Sequence, residues 1–204
     1  MTLYTTDDMF SDGFRLENKV VILRPLLASD RDAFRKIVFD DRIWSYFTSN
    51  IATEQDLDFF VEDALLNRDQ RTRCVFTVIY KETGEIAGST SYGNISDRDK
   101  RLEIGWTWLS PQFQKTGINR NNKFLLLQNA FERLGYERVE FKTDVLNLAA
   151  RKGLKGIGAT EEGVLRSHTL MPFGRRRDTI YYSILKKEWP SVKETIFTGY
   201  DSLL

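Results

Sequence analysis

Hydrophobic positions along the chain switch between the period of a strand and the period of a helix. The segment KVVILRP, residues 19–25, has the β-branched composition of a strand and stops at a proline. Two stretches with helical spacing follow, from about Ser29 and from about Glu54, because their apolar residues recur three and four positions apart. Residues 1–18 show no period, and we expect them to form a tail that packs late or lies on the surface.

The middle of the chain predicts strands, followed by helices and strands in alternation. Two segments rich in β-branched and aromatic residues flank the turn ETGE, so residues 73–93 are predicted to form a β-hairpin. One right-handed parallel crossover joins these antiparallel elements. The pattern predicts an α/β (α+β) fold with one mixed, mostly antiparallel, twisted sheet of about seven strands and helices on both faces. The later strands are predicted at 101–109, 136–144, 159–168 and 177–185, and the later helices at about 119–134 and 147–155.

Length and composition favour a single domain. A chain of 204 residues buries roughly 70% of the surface that its unfolded form exposes, and no linker rich in proline or serine divides it. We therefore expect a domain at 19–186 with an extension, 187–204, that packs on it. With 30 basic and 29 acidic residues the net charge is +1, which argues against nucleic acid or a membrane as the partner.

The cysteine and histidine counts limit the chemistry. Cys74 is the single cysteine and His168 the single histidine, so an internal disulfide is excluded and a His/Cys zinc site is disfavoured. We expect no metal. The lack of a signal-peptide pattern, of disulfides and of an apolar stretch of about 20 residues favours a cytoplasmic location without a membrane span.

One loop, QKTGIN at residues 114–119, has the composition of an anion-binding turn. It lies between a predicted strand and a predicted helix, so backbone N–H groups and the positive end of the helix dipole converge there, as a diphosphate requires. Gly117 would let the backbone approach the phosphates, and Asn119 is a suitable N-cap. An ordinary capped helix with a solvated basic rim fits the same residues, and both interpretations stay open. Positive charge nearby comes from Lys115, Arg120 and Lys123.

The loop lacks the GK[ST] of a Walker motif and the GxGxxG of a dinucleotide fold. With Gln114 and Gly117 in place and Asn119 at its last position, it resembles the acyl-coenzyme-A loop of the GNAT superfamily of N-acetyltransferases, Q/R-x-x-G-x-G/A. The chain is most similar to the RimJ/RimL-like (ribosomal-protein-alanine acetyltransferase) branch, over about residues 19–186. The matching segments are LRPL, EIGWTWL, TGINRNNK, AFERLGYERVEFKTDVLN, GATEEGVLRSH and RDTIYYSIL.

The resemblance implies a fold and a cofactor site. In the GNAT fold the parallel strands, here 101–109 and 137–144, splay into a V-shaped opening for the pantetheine arm of acetyl-coenzyme A. The arm would bond to the strand edge near Trp108 and Leu109, and the pyrophosphate would lie on backbone N–H groups of the loop. The residues implied to contact the cofactor are Trp108, Leu109, Gln114, Lys115, Thr116, Gly117, Ile118, Asn119, Lys123, Asn147 and Arg151.

Glu103 is the candidate catalytic base. A carboxylate inside a buried strand is costly unless it is paired or functional. The resemblance implies that Glu103 takes the proton of the acceptor amine through a water, and that a backbone N–H near Leu109 polarises the thioester carbonyl. The other interpretation is a structural glutamate paired with Arg138 or Arg166. Strict alternation places Glu103 on one face with Gly105 and Thr107, and Leu102, Ile104, Trp106 and Trp108 on the other.

The acid that would protonate the leaving thiolate is missing from its expected place. This branch commonly has serine where the segment NLAAR has Ala150, and alanine donates no proton. The basic turn at 175–177 is either solvated or contacts an anionic acceptor or RNA. Tentative acceptor contacts are Trp44, Tyr46, Tyr92 and His168, each of which also fits packing or a surface position.

The sequence thus predicts an acyltransferase that moves the acetyl group of acetyl-coenzyme A to a primary amine by direct attack in a ternary complex. Cys74 fits a small core residue rather than a nucleophile. The acceptor is expected to be a small molecule or a protein N-terminus, and the protein a monomer or a homodimer. Two alternatives stay open: an acyl-coenzyme-A sensor without efficient turnover, which Ala150 favours, and an RNA-associated protein, which the near-zero net charge disfavours.

Overall fold

Residues 5–200, apart from the side chain of residue 173, are described by a computed structural model in which eight strands form one sheet. The strands are β1 (Leu16–Glu17), β2 (Val21–Pro25), β3 (Cys74–Tyr80), β4 (Ile86–Ser96), β5 (Arg101–Leu109), β6 (Arg138–Asp144), β7 (Thr160–Leu170) and β8 (Arg176–Leu185). The α-helices in the same range are α1 (Arg31–Arg35), α2 (Asp41–Trp44), α3 (Glu54–Asp69), α4 (Ile118–Gln128), α5 (Leu148–Gly156) and α6 (Trp189–Ile196).

The strand order in the sheet is β1-β2-β3-β4-β5-β6-β8-β7, and each neighbouring pair is antiparallel except β5 and β6. The predicted fold class, a mixed and mostly antiparallel sheet with helices on both faces, is confirmed. The sheet has eight strands rather than about seven, because the two-residue strand β1 pairs with β2 through Leu16 and Glu17.

The sheet separates two apolar cores. One core includes Ile104 and Phe124 and lies beneath α4, α5 and α6, and we call this side of the sheet the α4 face. The other core includes Phe34, Leu57 and Trp108 and lies beneath α1, α2 and α3, and we call it the α3 face. Both faces of the central strands are therefore covered, and even the small polar residues of β4, Ser89, Thr90 and Ser91, are buried.

The N-terminal segment packs more deeply than the tail expected there. Residues Thr6–Phe10 form a 3₁₀ turn that buries Met9 completely, and Phe14 and Leu16 join the core of the α4 face. The segment consists of short elements that change direction, so its buried residues recur with neither the helical nor the strand period.

A β-bulge interrupts β5. Opposite β4, Ser89 pairs with Trp108 and Ser91 with Gly105, so three steps along β5 match two steps along β4. Trp106 lies in the bulge with a left-handed φ of 50°. The bulge corrects the strict alternation expected for this strand: Trp108 packs on the α3 face, away from Leu102 and Ile104.

The parallel strands β5 and β6 separate after a short stretch of pairing. They pair only at residues 101–103 of β5 and 138–140 of β6, although β5 continues to Leu109 and β6 to Asp144. Each strand is held on its outer side, by β4 and by β8 respectively. The expected V-shaped opening between the two strands is therefore confirmed, and we call it the gap.

Candidate functional site

The edge of β5 that faces the gap has no strand partner from Ile104 to Leu109. Backbone N–H and C=O groups need hydrogen-bond partners when a site is closed off from water. This edge therefore suits an extended ligand that carries amide groups, which would add to it as a strand adds to a sheet. At the far end, the Gln114 amide donates to the carbonyl oxygen of Leu109 at 3.1 Å and ties the loop to the strand.

The loop that follows β5 ends in a left-handed glycine. Gly117 has φ 91° and is the N-cap of α4, so Asn119 is the second residue of the helix rather than its N-cap as expected. A left-handed residue turns the chain sharply enough to end the loop one residue before Ile118, and glycine adopts that conformation at low cost. The N–H groups of residues 118–120 precede the first intrahelical donor, Asn121. They form a donor cluster at the positive end of the helix dipole.

Four basic residues near the loop are placed differently from one another. Lys115 is exposed on the loop itself. Arg120 donates to the carbonyl oxygen of Ile196 at 2.9 Å and lies over the ring of Phe197. Arg151 bonds to Tyr182 and Val145 and forms an ion pair with Glu161 at 3.7 Å, so it is held by neighbours instead of being free for phosphates. Lys123 is buried in the gap.

Glu103 lies at the closed end of the gap, on the last residue pair that joins β5 to β6. It is 5% exposed, and its Oε2 atom is 2.7 Å from the ammonium of Lys142 on β6. The Asn94 amide donates to the same oxygen at 2.6 Å. The expected pairing with Arg138 or Arg166 is wrong. Arg138 and Lys142 lie on the same face of β6, but Arg138 pairs with Glu140 and Glu162, and Lys142 is the partner of Glu103.

Glu103 shifts the pKa of its partner Lys142. Burial alone would lower the pKa of Lys142, but the hydrogen bond and the charge of Glu103 raise that pKa above its ordinary value. Lys142 is therefore protonated and positively charged at neutral pH.

Lys123 reaches into the gap from the α4 face. Its Nζ atom donates to the Thr107 hydroxyl of β5 at 3.0 Å and lies 5.5 Å from the ring centroid of Phe141 on β6. These contacts bridge the two strands where they no longer pair. Burial lowers the pKa of Lys123 to about 7, although the charge of Glu103 acts to raise it.

A gap between parallel strands, a donor cluster at the start of the next helix and a buried carboxylate together match a known family. A sequence profile for the acetyltransferase (GNAT) domain matches residues 21–160. The chain belongs to the GNAT acetyltransferase family. Members of this family use acetyl-coenzyme A as acyl donor, and the protein is accordingly an acyltransferase.

Individual relatives agree with this family. "Putative ribosomal N-acetyltransferase YdaF" of Bacillus subtilis (strain 168) is 34% identical over 110 residues, which span 54% of this chain and 59% of that protein. "Uncharacterized N-acetyltransferase p20" of Bacillus licheniformis is 26% identical over 171 residues, 82% of this chain and 93% of that protein. The crystal structure of a GCN5-related N-acetyltransferase from Brucella melitensis superposes with a TM-score of 0.85 at 25% identity, covering 94% of this chain and 87% of that one. The expected GNAT membership and the resemblance to ribosomal-protein acetyltransferases are confirmed.

The loop of this acetyltransferase is open on the side of its left-handed glycine. A Cβ atom built on Gly117 would meet no atom within 4 Å, so the space in front of the loop is open to a ligand. The Thr116 hydroxyl donates to the carbonyl oxygen of Phe113 at 2.7 Å and fixes the turn. Asn147 caps α5 by accepting from the backbone N–H of Ala150 at 3.0 Å. This bond fixes the orientation of the Asn147 side chain, whose amide N–H groups are donors for a ligand.

The α3 face of the acetyltransferase contains a pocket of about 290 Å³ next to the bulge of β5, and its lining combines aromatic and aliphatic side chains with polar ones such as Ser89 and Ser91. Trp44 lies on one wall, 5.5 Å from Trp108 between ring centroids, and its indole N–H donates to the carbonyl oxygen of Val38. The carboxylates at the rim are already engaged, Asp56 in the cap of α3 and Asp63 with Arg73. The aromatic residues of the lining are Trp44, Phe47, Phe59, Phe60, Trp106 and Trp108.

Three tentative acceptor residues lie away from this pocket. Tyr92 is fully buried on the α4 face, where its hydroxyl donates to the carbonyl oxygen of Leu126, so it is a core residue and not an acceptor contact. Tyr46 is exposed and outside the pocket lining. His168 is exposed on β7, with Nδ1 3.1 Å from the Thr179 hydroxyl. Sequence spacing alone does not tell which face of a strand a helix covers. For this reason the sequence did not show that Tyr92 lies beneath α4 and away from the pocket.

The three arginines of the basic turn at 175–177 lie in different environments. Arg175 pairs with the buried Asp144, and Arg176 bonds to Ser167. Arg177 is half-buried, and burial lowers its pKa below the ordinary value. Two features of the described part of the chain, residues 5–200, concern membranes and metals: no helix there is long and apolar enough to cross a bilayer, and no three His, Cys, Asp or Glu side chains cluster as metal ligands.

Sequence reasoning missed Lys142 and Asn94, the two partners of Glu103. A signal for Lys142 exists, because in the strand VEFKTD the charged residues alternate with Val139, Phe141 and Thr143. This alternation puts Lys142 on the same face as Glu140. Asn94 offers no such signal. It has φ 48° beside an irregularity in the pairing of β4 with β5, and periodicity does not reveal the direction of its side chain.

Proposed function

We propose that the protein transfers the acetyl group of acetyl-coenzyme A to a primary amine by direct attack in a ternary complex. The observation that carries this proposal is the gap between β5 and β6, which has the loop of Gly117 at its open end and Glu103 at its closed end. One cleft thus offers an edge for an amide-rich arm, donors for a diphosphate and a carboxylate for proton removal.

The loop and β5 are assigned to the acyl donor. The N–H groups of residues 118–120 would hold the diphosphate, with Lys115 adding charge and Gln114, Thr116 and Gly117 shaping the turn. Trp108 and Leu109 on the edge of β5 would align the pantetheine arm, and Asn147 would donate to it from the other side of the gap. Bound acetyl-coenzyme A supplies the activated acyl group, and holding it beside the amine provides much of the rate acceleration.

Glu103 is assigned to the acceptor amine. An ammonium group has no lone pair for attack, so a base must take its proton, directly or through water. Glu103 is the carboxylate at the closed end of the gap, where its Oε2 atom is 2.7 Å from the ammonium of Lys142.

A covalent acetyl-enzyme is not needed. Cys74 is fully buried on the α4 face, its thiol contacts the carbonyl oxygen of Met9, and burial raises its pKa. A thiol held in that form is a poor nucleophile.

The pocket of the α3 face is assigned to the acceptor. Six aromatic side chains and the neutral polar groups of Ser89 and Ser91 are among its lining, and the engaged carboxylates at its rim leave little free negative charge. The pocket therefore favours an amine carried on an apolar or aromatic group over a polycation. A protein N-terminus that begins with an apolar residue is one such acceptor, in line with the word ribosomal in the name of the Bacillus subtilis relative.

A second candidate function is an acyl-coenzyme-A sensor without efficient turnover. Ala150 supports it, since it lies in the first turn of α5 and donates no proton from its side chain. The decisive experiment measures free thiol released from acetyl-coenzyme A across a panel of primary amines, including N-terminal peptides. Release in proportion to one added amine supports the transferase, and release at the same slow rate with every amine supports the sensor.

Gly117→Asp is expected to weaken the binding of coenzyme A by roughly tenfold or more, because it places a negative charge within the donor cluster for the diphosphate. The matched control is Gly117→Asn, which has the same size and tolerates the same left-handed backbone without the charge. Isothermal calorimetry of both variants checks the prediction. Equal affinity for Asp and Asn at position 117 would contradict the assignment of the loop.

Trp106→Ala is expected to raise KM for the acceptor roughly tenfold and to leave KM for acetyl-coenzyme A nearly unchanged, because Trp106 forms an aromatic wall of the pocket outside the gap. Steady-state kinetics with each substrate varied in turn measures both constants. Leu66→Ala, an exposed change on α3 outside the pocket, is the control. A rise confined to KM for acetyl-coenzyme A would show that the pocket does not hold the acceptor.

A further inference from the structure

Lys123 is a buried lysine with an unusual set of partners. It is 7% exposed, and none of the ion pairs within residues 5–200 includes it. Its ammonium has one hydrogen-bond acceptor, the Thr107 hydroxyl, and one aromatic face, Phe141. Lysine is almost never buried without a charged partner, because its desolvation costs free energy that a single hydroxyl does not restore. Such a costly group in a cleft is a candidate for function.

The position of Lys123 makes it a candidate for contact with the reacting atoms. Its Nζ atom lies between β5 and β6 beyond their last pair, on the side of the gap opposite to Glu103 and the acceptor pocket. The Thr107 hydroxyl that it contacts is 2.8 Å from the Thr90 hydroxyl. The Thr107 hydroxyl thus holds the ammonium group and is itself held by Thr90 on β4, so the remaining N–H bonds of the ammonium are left for a ligand in the gap.

We propose that the ammonium of Lys123 donates a proton to the thiolate that leaves when the acetyl group is transferred, a role that rests on the proposed function. The nitrogen of the acceptor forms a bond to the carbonyl carbon, and the C–S bond breaks with its electron pair on sulfur. The Nζ proton of Lys123 then moves to that sulfur and yields the free thiol. The acceptor ammonium loses one proton to Glu103 before attack, and its nitrogen loses a second proton when the tetrahedral adduct collapses. Both pass to solvent by way of Glu103, and Lys123 regains one from solvent. The ammonium and the thioester thus give the amide, the thiol and one proton, so the reaction is balanced.

Burial tunes Lys123 for this step. An ordinary lysine has a pKa of about 10.4 and holds its proton more tightly than a thiol with a pKa of about 8.5. With its pKa lowered to about 7, Lys123 is a stronger acid than the departing thiol and is still partly protonated at neutral pH. The charged groups on its neighbours are Glu103 on β5, Lys142 on β6 and Arg120 on α4, and the last is turned towards Ile196.

Two substitutions at this position separate proton donation from simple positive charge. Lys123→Met keeps the shape and removes the proton, and Lys123→Arg keeps the charge and donors but holds its proton too firmly to release it. Both are expected to slow amine-dependent thiol release in a single turnover by roughly 10²-fold or more, with coenzyme A affinity retained. The exposed Lys187→Met is the control and should match the wild type. Wild-type speed in Lys123→Arg would overturn proton donation, because charge alone would then suffice.

The pH profile gives an independent measure. The wild-type rate is expected to fall as pH rises above about 7, because the ammonium form of Lys123 is lost. Lys123→Met should lack this alkaline fall. With an acetyl selenoester of the coenzyme as donor, Lys123→Met should regain most of the wild-type rate. A selenol is more acidic than a thiol, so the selenolate can leave without being protonated. Failure of the selenoester to restore any rate would overturn the proposal.

A titration without substrate completes the test. NMR of ¹³Cε-labelled lysines should show one lysine that titrates near pH 7 and is missing from the Lys123→Met spectrum. If the signal that is missing from the Lys123→Met spectrum titrates near pH 10 in the wild type, the proposal is overturned. If the wild type releases no thiol with any amine, the proposed function fails and this inference fails with it. If the wild type turns over and Lys123→Met is equally fast, only the inference fails.

Discussion

Glu103→Gln is expected to lower the turnover number by roughly 10²–10⁴-fold and to leave the affinity for coenzyme A within about twofold. Glutamine keeps the size of the side chain and can still accept from Asn94, so packing at the closed end of the gap is largely preserved. It cannot take a proton from an amine. The loss should therefore fall on the chemical step and not on binding of the acyl donor.

Glu140→Gln is the matched control for Glu103→Gln. Glu140 is the register partner of Glu103 on β6 and is likewise paired with a basic residue, Arg138. If Glu103 only balances the charge of Lys142, both variants should lower the melting temperature by similar amounts and both should keep their turnover. Comparing melting curves with kcat for the two proteins distinguishes a base from a structural glutamate, and equal kcat values would contradict the base role.

The periodic elements of the fold were predictable from the sequence. The hairpin expected at 73–93 corresponds to β3 and β4, and the helix expected at 119–134 to α4 with the π-helical turn Asn129–Arg133 that continues it. Such segments bury one or both faces over many residues, so each repeats the same signal. The bulge at Trp106 adds one residue to β5 and reverses every later side chain, and no period records an insertion of that kind.

The candidate site was predictable where it depends on backbone chemistry. A glycine before a helix indicates a left-handed turn, and Gly117 adopts one, although the cap lies two residues earlier than Asn119. Side chains that meet across the gap were not predictable in the same way. Lys123 was expected at the loop as a phosphate-binding charge, but it lies more than one turn into α4, where helix geometry directs it towards β5 and β6.

The cost of burying Lys123 leads to a prediction about stability. Its pKa is about 7 in the folded protein and 10.5 as the reference value for the unfolded chain. Between these values the unfolded state binds more protons than the folded state, so this group makes stability rise with pH from about 7 to 10.5 and leaves its full penalty in place below 7. Each pKa unit corresponds to roughly 1.4 kcal/mol, which gives a penalty on the order of 4–5 kcal/mol at pH 7.

Lys123→Met is therefore expected to raise the free energy of unfolding on the order of 4 kcal/mol at pH 7, with a gain that shrinks towards zero near pH 10.5. Methionine fills the same space beside Phe141, and the Thr107 hydroxyl keeps an acceptor in the Gly105 carbonyl. Urea denaturation of the wild type, of Lys123→Met and of the exposed control Lys187→Met at pH 6, 7, 8.5 and 10 measures the gain, and subtracting the wild type removes the titration of other residues. A gain that is independent of pH would mean that Lys123 is not desolvated in the folded state. A large gain at pH 7 together with slow thiol release would show that the protein gives up stability at this position in exchange for an acid that can release its proton.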